Sequence, residues 1–157
     1  MECKAELSED GTHYILNGEK MWVTNGAQAD IFILFAKDVK HPDYGQKKHG
    51  GTPAFIVVKE AEGVAVGKKA ETLGIRSSDT VTLILENCKV PVENMLRGPG
   101  EGFPIAMNAL DNSRIGIAAQ AVGIAQGALE AAVKFAHERE TFDTPIARHQ
   151  SIGNYLS

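Results

Sequence analysis

The sequence predicts an α+β chain: an antiparallel β-sandwich or barrel up to about residue 95, then the first helices of a helical bundle. Three observations predict it. Residues 30–36, 54–59, 64–68 and 80–86 are runs rich in β-branched and aromatic side chains, separated by Gly, Pro, Asn and Asp, as short strands of a closed or stacked sheet are. Pro91 closes the last run, and the composition then shifts abruptly. From about Pro104 to Arg139 the residues are strong helix formers, with Ile117, Ala121, Ile124, Ala128, Ala132 and Phe135 recurring at three- and four-residue steps.

The 157 residues suffice for one domain or two small ones, and 43% hydrophobic content supplies a core. We divide them into a β domain over 1–95 and a helical domain over 96–157. Sixteen basic against 20 acidic residues leave a net charge of −4, and no Lys/Arg run interleaves with aromatics, which speaks against a nucleic-acid partner. Cys3 and Cys88 fit neither a CxxC metal pattern nor a disulfide framework, so reduced thiols are expected. The N-terminal residues lack the apolar core of a signal peptide, and no stretch reads as apolar for long enough to cross a bilayer. Either the protein stays soluble inside the cell, or a targeting segment is absent from these residues.

Taken in order, the first strong signal is Lys20-Met21-Trp22-Val23-Thr24 between Asn17-Gly18 and Asn25-Gly26. Asn-Gly favours a two-residue type I′ turn, so residues 14–16 are expected to pair back onto 19–21. Strand alternation then puts Lys20, Trp22 and Thr24 on one face and Met21 and Val23 on the other. An indole and a hydroxyl about 6.8 Å apart would suit a fused aromatic ring with a polar edge. The same two residues also suit a core tryptophan and an ordinary strand threonine. Residues 38–52 are polar and glycine-rich and read as a surface loop. His41 and His49 within it lack the carboxylate or thiol cluster that a metal site needs.

Gly98-Pro99-Gly100-Glu101-Gly102 reads as a linker into a helix with Pro104 in its first turn. It lacks the βαβ setting and lysine of a phosphate loop. An unbroken helix from there to Arg139 would run roughly 54 Å, so a break is expected at Asp111-Asn112-Ser113 and Gly116, resuming near Arg114. Gln120, Gln126 and Glu130 are read as excluding a membrane span. Thr144-Pro145 interrupts the pattern, and Ile146, Gln150, Ile152 and Leu156 begin a second helix in which the sequence stops, as in a truncated bundle.

With these residues laid out, the chain resembles the middle of an acyl-CoA dehydrogenase. The features that match, in order, are Leu16-Asn17-Gly18 leading to Lys20-Met21-Trp22-Val23-Thr24-Asn25, then Gly74-Ile75-Arg76 with Ser78 and Thr80, Val90-Pro91, and residues 100–103. Leu110-Asp111 with Arg114, and Glu138-Arg139 with Phe142, Pro145 and Gln150, complete the set. The text of the long helix from Leu110 to Gln126 leans towards the short-chain, butyryl-CoA branch.

The resemblance implies an FAD enzyme whose Trp22, Val23 and Thr24 line the isoalloxazine ring, with Thr24 directed at N5. Arg139, with Thr141, Phe142 and Gln150 nearby, matches the position that reaches the FAD pyrophosphate of a neighbouring subunit, where a guanidinium fork suits phosphate oxygens. The other reading of Arg139 is a solvated charge at a frayed helix end. Asp111, Asn112, Ser113 and Arg114 match the segment that contacts the acyl-CoA substrate, a buried Arg114 tuning the catalytic carboxylate; the other reading is a cap with a solvated arginine. Electron-transfer flavoprotein as redox partner, a homotetramer built as a dimer of dimers, no membrane partner, and the bacterial cytoplasm or the mitochondrial matrix are implied likewise.

Two departures stand out. Asp143 occupies a position where the family usually carries Gly, and its carboxylate would repel a pyrophosphate unless turned outward. No catalytic base is assigned in these residues. The family's flavin-binding segment would precede Met1, and the usual glutamate base would follow Ser157. Long-chain and isovaleryl branches place that glutamate just before the arginine, where Ser113 stands here. The fragment alone is therefore expected to be inactive. The alternatives are an acyl-CoA oxidase or other flavin enzyme of the superfamily, and a non-catalytic β-sandwich binding or assembly module.

Overall fold

The computed structural model describes residues 3–157. Two compact units are present, Met1–Met107 and Asn108–Ser157. The first contains β1 (Lys4–Leu7), β2 (His13–Thr24), β3 (Ile31–Phe35), β4 (Lys37–Asp38), β5 (Ala54–Val58), β6 (Val64–Lys69), β7 (Thr80–Pro91) and β8 (Met95–Leu96). They form a five-stranded sheet in the order β4-β1-β2-β7-β6 and a three-stranded sheet in the order β3-β5-β8. Pairing is antiparallel except between β1 and β4.

Alternation does its work in the middle of each sheet. Leu83, Leu85, Cys88 and Val90 of β7 and Leu16 of β2 are buried, as are Phe32, Leu34, Phe55 and Val57 of the second sheet, and all join one apolar cluster. Each such large side chain contributes about 1.5–3 kcal/mol by leaving water. Tyr14 and Phe55 bring the sheets together, with ring centroids 5.0 Å apart. The Tyr14 hydroxyl donates to Asp38 at 3.4 Å, so the buried carboxylate is not left unpaired. The sandwich expected from the strand spacing is thus the fold of the first unit.

The hairpin expected at Asn17-Gly18 does not form. β2 runs straight through it, pairing with β1 on one side and β7 on the other. The irregularity falls on the partner strand: Leu16 pairs with Cys88 but Gly18 with Leu85, which leaves one extra residue on β7. Asn87 there has φ 50°, and its N–H donates to the Asn17 side chain at 2.7 Å. Asn17 therefore serves a bulge across the sheet rather than a turn of its own.

The long helix also differs from expectation. α1 (Gly102–Glu138) is 37 residues without interruption, about 56 Å long. The polar residues expected to break it bond within it instead: Asn112 Nδ2 donates to Asn108 O at 2.9 Å, Ser113 Oγ to Leu110 O at 3.1 Å, and Arg114 Nε to Leu110 O at 3.4 Å. Each satisfies its polarity on the preceding turn, and the backbone ladder continues. Over its most apolar window α1 has a mean hydropathy of 1.2, long and apolar enough by length and composition to cross a membrane. That corrects the reading that no stretch is so, and Gln120, Gln126 and Glu130 do not offset the Ala and Ile content.

After α1, β9 (Glu140–Thr141) and β10 (Thr144–Pro145) form a minimal hairpin. A 3₁₀ turn over Ile146–Arg148 and α2 (Gln150–Leu156) follow. The second helix starts later than its apolar periodicity predicts because Pro145 and His149 are extended.

Candidate functional site

The segment Trp22, Val23, Thr24 sits at a bulge. Lys20 pairs with Leu83 and Val23 with Val81, so Met21 and Trp22 together oppose Thr82. Trp22 takes the extra position with φ 59°, a costly conformation for a bulky side chain. Beyond the bulge the facing of the strand is inverted. Val23 packs on the apolar cluster, on the side from which Lys20 reaches inward to donate to Phe35 O. The strict alternation expected for Lys20, Trp22 and Thr24 is thereby overturned.

The bulge also turns the indole outward. Trp22 is 72% exposed and borders a shallow cavity of about 280 Å³ with Met21, Lys68, Glu71 and Thr82. Thr24 is exposed and borders a second cavity, of about 310 Å³, with Lys20, Val23 and Phe35. Met21 lines both. The indole and the hydroxyl therefore flank a common ridge instead of sharing one plate. The shared face expected to seat a flat aromatic cofactor is absent; what the strand presents is an uncovered indole and, two residues on, an exposed threonine.

Just after Thr24 the chain turns, and the turn is held by residues that the sequence did not single out. Asn25 has φ 58°, and its N–H donates to Asp79 O at 2.5 Å. The Asp79 carboxylate accepts from Ala27 N–H at 3.0 Å, and Lys59 Nζ donates to Ala27 O at 2.5 Å. Asp79 lies between Ser78 and Thr80, and a carboxylate directly before a strand was the available signal. Burial pushes the Lys20 ammonium below its usual value, with the nearby Cys3 opposing the shift. Gly74-Ile75-Arg76 lies in an exposed loop between β6 and β7, where Arg76 Nε donates to Thr72 O at 3.3 Å.

In the second unit, Phe142 and Asp143 have φ 53° and 56° and form the two-residue loop between β9 and β10. Positive φ at both central positions defines a type I′ turn, whose second position favours glycine. Asp143 fills that position with its side chain in solvent. Thr141 Oγ1 lies 2.9 Å from His149 Nε2, and the Phe142 ring meets the His149 ring edge-on at 6.4 Å. Phe142, Arg139 and Gln150 are exposed. The hairpin thus brings Thr141 and Phe142 together with His149 and the start of α2. His149 was missed by the sequence reading.

Asp111, Asn112, Ser113 and Arg114 occupy one turn of α1. Arg114 Nη2 stands 3.6 Å from Asp111 Oδ1, both well exposed in the chain alone. The expected burial of Arg114 is not a property of these residues by themselves.

The family model "Acyl-CoA dehydrogenase, middle domain" matches residues 1–88, and "Acyl-CoA dehydrogenase, C-terminal domain" matches residues 100–157. The chain belongs to the acyl-CoA dehydrogenase family. Among acyl-CoA dehydrogenase relatives, the short-chain specific mitochondrial enzyme of Rattus norvegicus is 44% identical over 144 residues, 92% of this chain and 34% of that protein. The butyryl-CoA dehydrogenase structure from Megasphaera elsdenii superposes with a TM-score of 0.86 at 44% identity, covering 99% of this chain and 39% of that one. An acyl-CoA dehydrogenase of Bacillus anthracis, solved with FAD, gives a TM-score of 0.87 at 41% identity, covering 99% and 26%. The chain therefore spans about a third of the relatives it matches.

Proposed function

We propose that the protein carrying this chain catalyses FAD-dependent α,β-dehydrogenation of a short-chain acyl-CoA to the trans-2-enoyl-CoA. The electrons then pass to an electron-transfer flavoprotein. One observation carries the reading: in a family middle domain, the bulge that presents an uncovered Trp22 indole ends two residues on at an exposed Thr24 hydroxyl. The similarity to short-chain relatives supports the substrate class.

Bound FAD would supply the hydride acceptor. Trp22 covers one face of its ring system, and Thr24 donates a hydrogen bond where negative charge develops. Arg139 offers its guanidinium fork to the pyrophosphate of a neighbouring subunit, with Thr141, Phe142 and Gln150 around it. That arrangement calls for a homo-oligomer, a dimer of dimers. Asp143 is exposed at its turn, and this arrangement requires its carboxylate to face away from the pyrophosphate. Asp111, Asn112, Ser113 and Arg114 bind the acyl-CoA, with Arg114 beside a carboxylate base supplied from beyond these residues. Ser113 in place of a glutamate supports a short-chain over a long-chain or isovaleryl substrate. The bacterial cytoplasm or the mitochondrial matrix suits this chemistry, and the exposed apolar face of α1 is covered by further helices of the bundle.

The test is butyryl-CoA oxidation by two proteins, the 157-residue chain alone and the chain joined to the segments that flank it in the Megasphaera elsdenii enzyme. The chain alone is expected to show no turnover and weak or no FAD binding; the joined protein is expected to bind FAD and to be reduced by butyryl-CoA. Turnover by the chain alone, or no flavin in the joined protein, overturns the reading.

A further inference from the structure

Thr24 is the last residue of β2 and pairs with Thr80 of β7, so its backbone is held by the ladder on one side and by the turn that follows on the other. That turn has three backbone bonds of its own. Gly26 N–H reaches Val23 O at 3.3 Å, and Gln28 and Ala29 N–H share Asn25 O at 3.0 and 2.8 Å. Three further bonds reach it from elsewhere in the sandwich. Asp79 grips it twice, through its carbonyl on Asn25 N–H and its carboxylate on Ala27 N–H. Lys59 holds the next peptide unit through Ala27 O, while its own N–H donates to Asp30 O at 2.8 Å. Both backbone groups of Ala27 are thus taken by charged side chains. The Asp79 side chain is only 18% exposed, and Lys69 Nζ stands 3.6 Å from its other oxygen.

We infer that Asp79 and Lys59 are positioning residues that clamp the turn after Thr24 and so aim its hydroxyl at the flavin edge. This rests on the flavin reading given above. A hydrogen bond weakens steeply as its angle closes, so a turn free to rock would spend much of its time with the Thr24 donor misdirected. Charge-assisted bonds to backbone, shielded from water, are the stronger kind and suit a part that must not move.

The test uses the FAD-loaded joined protein and its flavin-free form, with Asp79→Ala, Asp79→Asn, Lys59→Met, Thr24→Val and the Asp79→Ala/Thr24→Val double variant. In the flavin-free form, Asp79→Ala is expected to speed amide exchange at Ala27 at least about tenfold. In the loaded form it lowers the flavin midpoint potential, as Thr24→Val does, by about 30 mV for each tenfold loss of preference for the two-electron reduced state. The double variant is expected to be no lower than Thr24→Val alone, since both remove one interaction. Asp79→Asn keeps an oxygen for Ala27 N–H and restores most of the potential; Lys59→Met gives a smaller shift of the same sign and remains informative if Asp79→Ala does not fold. A potential shifted by Thr24→Val but unmoved by Asp79→Ala and Lys59→Met, or additive effects in the double variant, overturns the clamp alone. A potential unmoved by Thr24→Val overturns the flavin reading and the clamp with it.

Discussion

The two units of this chain solve the burial problem differently. The β unit buries its own apolar residues: Leu16, Leu83, Leu85, Phe55 and Val57 are each at most 2% exposed. The helical unit keeps little from water. Ile115, Ile117, Val122, Ile124 and Phe135 are all exposed on α1, and only Ala136 among its described apolar residues is buried. A self-contained sandwich can hold a strained bulge at Trp22 in place. A helix whose stability comes from packing waits for partners to cover it.

That contrast can be broken by cutting the core on each side. Leu83→Ala is expected to cost about 2–5 kcal/mol in urea denaturation, since it empties a fully buried site. Ile117→Ala in the same chain is expected to fall within about 0.5 kcal/mol of the parent. Grafted among the remaining helices of its relatives, it should instead cost about 2–5 kcal/mol. A large loss in the chain alone would mean that α1 already has its partner.

Next in size is Gly26→Ala, expected to destabilise by about 1–3 kcal/mol in thermal melts. A Cβ there would lie 2.5 Å from Val81 Cγ2 and 3.2 Å from Val23 Cγ1. In the helical unit, Asp143→Gly should stabilise by about 0.5 kcal/mol, relieving positive φ at the cost of a more flexible unfolded chain.

The smallest effects are in the alkaline limb, and they sharpen the picture of the β core. Burial raises the thiols of Cys3 and Cys88 above the usual 9.0, so the folded chain keeps protons that the unfolded chain has released, and stability falls as pH rises above about 9. Lys20 acts in the opposite sense. Its lowered value means that the unfolded chain binds more protons between that value and 10.5, so its contribution rises with pH across that window. Cys88→Ala should flatten the alkaline decline and Lys20→Met should steepen it, as followed by urea midpoints against pH.

The sandwich was legible because strand runs and turn residues alternate clearly from residue 30 onwards. The short β1 and β4 were not, since four and two residues carry no period of their own. Asn17-Gly18 misled because an Asn-Gly pair also suits the place opposite a bulge, and the local text is the same in either setting. Alternation through Trp22 failed for a related reason: the extra residue is visible only in the pairing with β7. The family positions at Arg139, Thr141, Phe142 and Gln150 could be located by motif, but not the type I′ loop that holds Phe142 and Asp143 at positive φ. Lys59 was illegible because its partner is a backbone atom 32 residues away, and Asp79 offered only its place before a strand, its side-chain partner being 52 residues away.

Trp22 is the only tryptophan of the chain, so its fluorescence reports the central claim directly. In the joined protein, with any tryptophan outside this stretch replaced, stoichiometric FAD is expected to quench Trp22 emission strongly, and the quenched fraction should track flavin occupancy. Full FAD binding with Trp22 emission unchanged would contradict a flavin lying against this ridge.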